Sequence, residues 1–121
     1  MEKHINILIL DDNQSMLETL KDILGAEGYD VVIVDSLEAA RKNISQKFYH
    51  LVLVDLKLPE GSGLDLLREA KKASRDTMVI IFTAFASLDT AICALQEGAF
   101  GYLHKPLNIE ELKIMIKKAL K

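Results

Sequence analysis

The chain has 121 residues, enough for one domain with a real core and too few to divide comfortably into two. Half of its residues are hydrophobic, 27% are charged and the net charge is −3, so it reads as a globular domain without a basic surface for nucleic acid. The single cysteine, Cys93, excludes an internal disulfide, and no apolar run reaches membrane-spanning length. Met1-Glu2-Lys3-His4 enters the first apolar run too soon for a signal peptide, so a cytoplasmic setting without membrane contact is expected.

Residues 5–10 form an apolar run that predicts a strand, and the run ends on Asp11-Asp12. Met16, Leu17, Leu20, Ile23 and Leu24 then recur at helical spacing, with Gly25 and Gly28 marking the end of that helix. A strand over 31–34 leads to Ser36, which reads as the N-cap of a helix over 38–46. The run 51–54 ends on Asp55. After it, Leu64, Leu66, Leu67 and Ala70 form the inner stripe of a helix over 64–73. The run 79–82 ends on Thr83 and precedes a helix over 87–97.

In that fourth helix Leu88, Ala91, Ile92 and Leu95 are expected to face inward. Only Asp89, Gln96 and Glu97 are strongly polar, so the rest of its surface reads as a partner face. A last strand over 100–103 leads to Lys105-Pro106. Asn108 with Glu111 is a capping-box pair opening a helix over 108–120, where Ile109, Leu112, Ile116, Ala119 and Leu120 point inward and Ile114 outward.

Five strand–helix repeats demand right-handed crossovers and a parallel, doubly wound α/β sheet. The uninterrupted apolar runs at 51–54 and 79–82 suit strands covered by helices on both faces, in a three-layer αβα arrangement. Asp11-Asp12, Asp55, Thr83 and Lys105-Pro106 then all fall at carboxyl ends of strands, the edge at which such sheets bind ligands. Each signal alone has an ordinary explanation: an acidic helix cap, a strand-end carboxylate, a hydroxyl, a turn. Together they describe a pocket in which converging carboxylates call for Mg²⁺. Asp12 and Asp55 would be direct ligands and Asp11 would act through a bound water. Asp55 is the best placed nucleophile for a phosphoryl group, with Lys105 and Thr83 as partners of its oxygens.

The stretches Leu8-Ile9-Leu10-Asp11-Asp12-Asn13, Leu53-Val54-Asp55-Leu56-Lys57-Leu58-Pro59 with Gly63, Phe82-Thr83-Ala84, and Gly98-Ala99-Phe100 through Tyr102-Leu103 to Lys105-Pro106 carry a family resemblance. Over essentially its full length the chain resembles the receiver (CheY-like) domain of two-component response regulators. The stretch 83–92 and Pro59-Glu60-Gly61-Ser62-Gly63 are most similar to receivers of the nitrogen-regulator (NtrC-like) transcriptional activators. The resemblance implies a flavodoxin-like (βα)₅ fold with strand order 2-1-3-4-5. It implies phosphorylation of Asp55 by a phosphohistidine on a sensor kinase or phosphotransfer protein. Mg²⁺ would be held by Asp12, Asp55 and the Lys57 backbone carbonyl. Thr83 and Tyr102 would be a switch pair, and Lys105 would precede a cis peptide at Pro106.

The fourth helix, last strand and fifth helix would signal to an output domain or downstream protein, with homodimerisation on phosphorylation. The domain would be the whole chain or the N-terminal part of a longer regulator. Gly101 departs from the Asp found in many relatives and is expected to loosen the last strand. Competing readings are a stand-alone phosphotransfer or motility regulator, a haloacid-dehalogenase-type phosphatase, a flavin carrier and a pseudo-receiver. The dehalogenase type needs a second acid where Lys57 stands, and the acidic loop after the first strand offers a flavin phosphate little.

Overall fold

Alternation of apolar runs with helical stripes produces five β-α units in the computed structural model, which describes residues 4–121; Met1, Glu2 and Lys3 lie outside the described residues. The strands are β1 (Asn6–Leu10), β2 (Asp30–Val34), β3 (Leu51–Asp55), β4 (Met78–Thr83) and β5 (Gly101–His104). The helices are α1 (Gln14–Ala26), α2 (Leu37–Gln46), α3 (Gly63–Ala73), α4 (Leu88–Gln96) and α5 (Ile109–Ala119). All pairings in the main sheet are parallel, in the order β2-β1-β3-β4-β5. A short antiparallel hairpin, Lys57–Leu58 with Gly61–Ser62, leaves β3 on the way to α3. No helix among the described residues is long and apolar enough to cross a membrane.

Period-two alternation divides the strand residues between two cores. Ile7, Ile9, Leu51, Leu53, Ile80 and Phe82 pack with Leu17, Leu20 and Leu24 of α1 and Leu112 and Ile116 of α5. Leu8, Leu10, Val52, Val54, Val79 and Ile81 pack with Leu37 and Ala40 of α2, Leu66, Leu67 and Ala70 of α3, and Ala94 of α4. β3 is buried along its whole length, and so holds the middle of the three layers. Side-chain caps begin the helices where the sequence places them: Ser36 accepts from the Ala39 N–H and Asn108 from the Glu111 N–H.

Four sequence expectations need correction. Gly25 lies inside α1, and it is Gly28, at φ +96, that makes the left-handed turn out of it. Thr83 belongs to β4, and β5 starts one residue late, at Gly101. The orientation of α4 is inverted: Ala94 is fully buried, whereas Leu88, Ile92 and Leu95 are 76%, 44% and 51% exposed. Helical spacing finds a stripe but not which stripe faces the sheet, and here the stripe that carries Ala94 is the buried one. Gly101 fits tightly into β5. It is buried and paired with Ile80, and a Cβ added there would collide with the Met115 thioether of α5.

Candidate functional site

The same alternation that fills the cores aims the polar residues. Asp11 continues the series Ile7, Ile9; Asp55 continues Leu51, Leu53; Lys105 continues Leu103. All three series belong to the α1/α5 side of the sheet. Tyr102 packs on the other side, among residues of the α2/α3/α4 core, and Thr83 follows Val79 and Ile81 toward it. Strand parity therefore separates an acid–lysine cluster from the Thr83 and Tyr102 hydroxyls.

The cluster is tightly built. Lys105 Nζ donates to Asp11 Oδ2 at 2.6 Å and to Asp55 Oδ2 at 2.7 Å, and stands 5.2 Å from the centre of the Phe82 ring. Asp11 is fully buried and Asp55 only 6% exposed, so each depends on these bonds and on backbone donors. The Asn13 N–H supplies one to Asp11 Oδ1 at 2.9 Å, and the Lys57 N–H one to Asp55 Oδ1 at 3.0 Å. Asp12 is exposed, and one carboxylate oxygen from each of Asp11, Asp12 and Asp55 lies within 4.8 Å of the others.

Three acids beside one lysine leave the pocket acidic. Hydrogen bonding to Asp11, then burial, then the Asp11 charge push the Asp12 carboxyl above its usual range. Burial works to lower the pKa of the Lys105 ammonium, but the bonds to Asp11 and Asp55 outweigh it, so the pKa is raised and the charge kept. Hard oxygen donors at this spacing with an uncompensated negative charge fit a divalent cation such as Mg²⁺.

Three further features flank the pocket. The Lys57 ammonium lies over the Phe85 ring, 4.6 Å from its centre, so the residues that follow Asp55 and Thr83 by two touch each other. Gly63 donates its N–H to the Leu56 carbonyl at 2.8 Å, and a Cβ there would collide with the Asp55 carbonyl oxygen and stand 3.0 Å from its carbon. The Lys105–Pro106 peptide is cis.

The two hydroxyls are engaged elsewhere: Thr83 Oγ1 accepts from the Phe85 N–H at 3.0 Å, and the Tyr102 hydroxyl pairs with Thr90 Oγ1 of α4 at 2.6 Å. Thr90 escapes sequence reasoning because a threonine in a helix carries no signal of a partner twelve residues away. Asn13 was within reach, as the polar residue immediately after the acidic pair.

Residues 7–117 match the model of the response regulator receiver domain. The chain is 35% identical over 118 residues to the transcriptional regulatory protein ZraR of Klebsiella oxytoca, covering 98% of this chain and 27% of that protein. It is 38% identical over 114 residues to the response regulator protein PilR of Pseudomonas aeruginosa, covering 94% of this chain and 26% of that protein. It thus spans about a quarter of the length of these curated relatives.

Among solved structures, the beryllofluoride-activated NtrC4 receiver domain dimer superposes with a TM-score of 0.90 at 34% identity, covering 95% of both chains. A CheY-like receiver domain protein from Methanospirillum hungatei superposes with a TM-score of 0.93 at 36% identity, covering 98% of this chain and 94% of that one. Sequence, fold and strand order agree, and the chain belongs to the receiver domain family of two-component response regulators, with an NtrC-type receiver among its similar structures.

Proposed function

We propose that this receiver domain is a phosphorylation-dependent switch that takes a phosphoryl group on Asp55 from a phosphohistidine of a sensor kinase or phosphotransfer protein. The observation that carries the proposal is the Lys105 ammonium held between Asp11 and Asp55, with Asp12 beside them. Asp12, Asp55 and the Lys57 carbonyl would hold Mg²⁺, with Asp11 acting through water. When bound, the cation supplies positive charge to the phosphoryl oxygens and to the carboxylate. An Asp55 oxygen attacks phosphorus, and the new O–P bond forms as the N–P bond breaks, its electron pair returning to the imidazole. Lys105 faces the charge that builds on the transferring group, and Thr83 exchanges its backbone partner for a phosphoryl oxygen.

Release of Thr83 is the proposed trigger for Tyr102 to leave Thr90 and turn inward. α4, β5 and α5 then pass the change to an output domain, a downstream protein or a second copy. The curated relatives are about four times as long and are named as regulators, which supports a receiver that belongs to a longer protein with a transcriptional output. Receiver domains are signalling modules, and the phosphatase alternative lacks its second acid because Lys57 stands there, directed at Phe85.

Incubation with Mg²⁺ and acetyl phosphate is expected to add the mass of one phosphoryl group. Asp55→Asn, or removal of Mg²⁺ with EDTA, is expected to abolish the gain. Steady phosphate release from unrelated monoesters, with no labelled protein, would overturn the switch in favour of a hydrolase.

A further inference from the structure

The hairpin that follows Asp55 is fixed at its base by neighbours in sequence. The Lys57 N–H bonds to Asp55 Oδ1 at 3.0 Å, the Gly63 N–H to the Leu56 carbonyl at 2.8 Å, and Ser62 Oγ accepts from the Leu64 N–H at 3.1 Å. Its tip makes a different kind of contact. Glu60 Oε1 accepts from the N–H of Leu37, 23 positions away, at 2.6 Å. Leu37 is the first residue of α2 and is 2% exposed, so the hairpin is anchored to a fixed point. Gly61 supports the same contact, since a Cβ added there would stand 3.1 Å from Leu37 Cδ1.

The bond also satisfies the Leu37 N–H, a helix-start donor that the Ser36 cap does not reach. Ser36 already accepts from the Ala39 N–H at 3.1 Å, and its carbonyl accepts from the Ala40 N–H at 3.0 Å. A carboxylate on a helix N-terminus is charge-assisted and favoured by the helix dipole. The bond thus ties the hairpin to the helix start and removes its freedom.

We propose that Glu60 is a positioning residue: by clasping the α2 N-terminus it holds the Lys57–Ser62 hairpin, and with it the Lys57 N–H that orients Asp55 Oδ1, in place for the cation. This rests on the reading of the Asp11–Asp12–Asp55 pocket as a Mg²⁺ site. Removing the clasp leaves Asp11, Asp12 and Lys105 in place but loosens the backbone donor that orients Asp55.

The test is a calorimetric Mg²⁺ titration of the wild type, Glu60→Ala, Glu60→Gln and Ser36→Ala, paired with acetyl phosphate labelling rates across Mg²⁺ concentrations. Glu60→Ala is expected to weaken Mg²⁺ binding about fivefold, the equivalent of one net hydrogen bond, with little change in rate at saturating Mg²⁺. Glu60→Gln keeps an acceptor oxygen and should recover most of the affinity. Ser36→Ala removes only the cap bond to the Ala39 N–H and leaves Leu37, 2% exposed, and the hairpin in place, so its melting temperature should fall and its Mg²⁺ affinity hold. Unchanged affinity in Glu60→Ala, or an equal loss in Ser36→Ala, overturns the positioning role. A wild type that binds no Mg²⁺ removes the reading of the pocket and this inference together.

Discussion

Asp12 is the residue at which the pocket's electrostatics can be tested most directly. Its carboxyl is pushed upward by Asp11 and by burial, so the folded chain holds that proton more tightly than the unfolded chain does. The sign follows: without metal, stability declines as pH rises through the Asp12 titration, because ionisation adds a third negative charge to the cluster. Asp12→Asn should therefore raise the melting temperature of the Mg²⁺-free protein at neutral pH by about 2–5 °C and erase the stabilisation that Mg²⁺ gives the wild type. Calorimetry with and without Mg²⁺ decides it, and a lower metal-free melting temperature in the variant would refute it. Asp11, Asp12, Asp55 and Lys105 were legible in the sequence because each ends an apolar run. The need for Gly63 was not, since only folding brings its Cα against the Asp55 carbonyl.

At the level of elements, α4 departs most from its sequence pattern. Its large apolar residues look like a core stripe, yet Ala94 makes the buried contact, with Thr90 tied to Tyr102 and Leu88, Ile92 and Leu95 outside. Spacing alone cannot distinguish these faces, because the choice depends on how closely the helix approaches the sheet. Ile114 of α5 is 55% exposed, as its place opposite the inner stripe implied. Leu88→Ser with Leu95→Ser should change stability by no more than about 0.5 kcal/mol per site, the range of exposed positions. Those changes, and Ile114→Asp separately, should leave Asp55 labelling intact and weaken self-association of the beryllofluoride-treated chain. Sedimentation measures the second effect, and unaltered association in all variants would reject a partner surface here.

For the whole molecule, the sheet sets a gradient of protection. β3 is buried throughout and flanked by β1 and β4, whereas β2 and β5 are edges, and β2 is half-exposed along most of its length. Backbone amides of β3 should therefore exchange with deuterium most slowly, near the rate of global unfolding, and those of α4 and β5 much sooner. Native-state exchange read by NMR gives the ranking, and slowest exchange in β5 would contradict it. The β-α alternation made this architecture readable, because five such repeats admit few arrangements. Strand order was not readable from the pattern, since Ile7, Leu51 and Ile80 are equally apolar and nothing local says which strand lies beside which.

The notch at Gly101 links two elements whose positions are fourteen residues apart in the chain. Met115 occupies the volume that a side chain on β5 would claim, so the two sites behave as a single unit of substitution. A bulkier residue at 101 is admitted only when the thioether swings aside or a shorter side chain replaces it. Engineering of this edge must accordingly treat the pair jointly, with volume conserved across the gap between last strand and last helix.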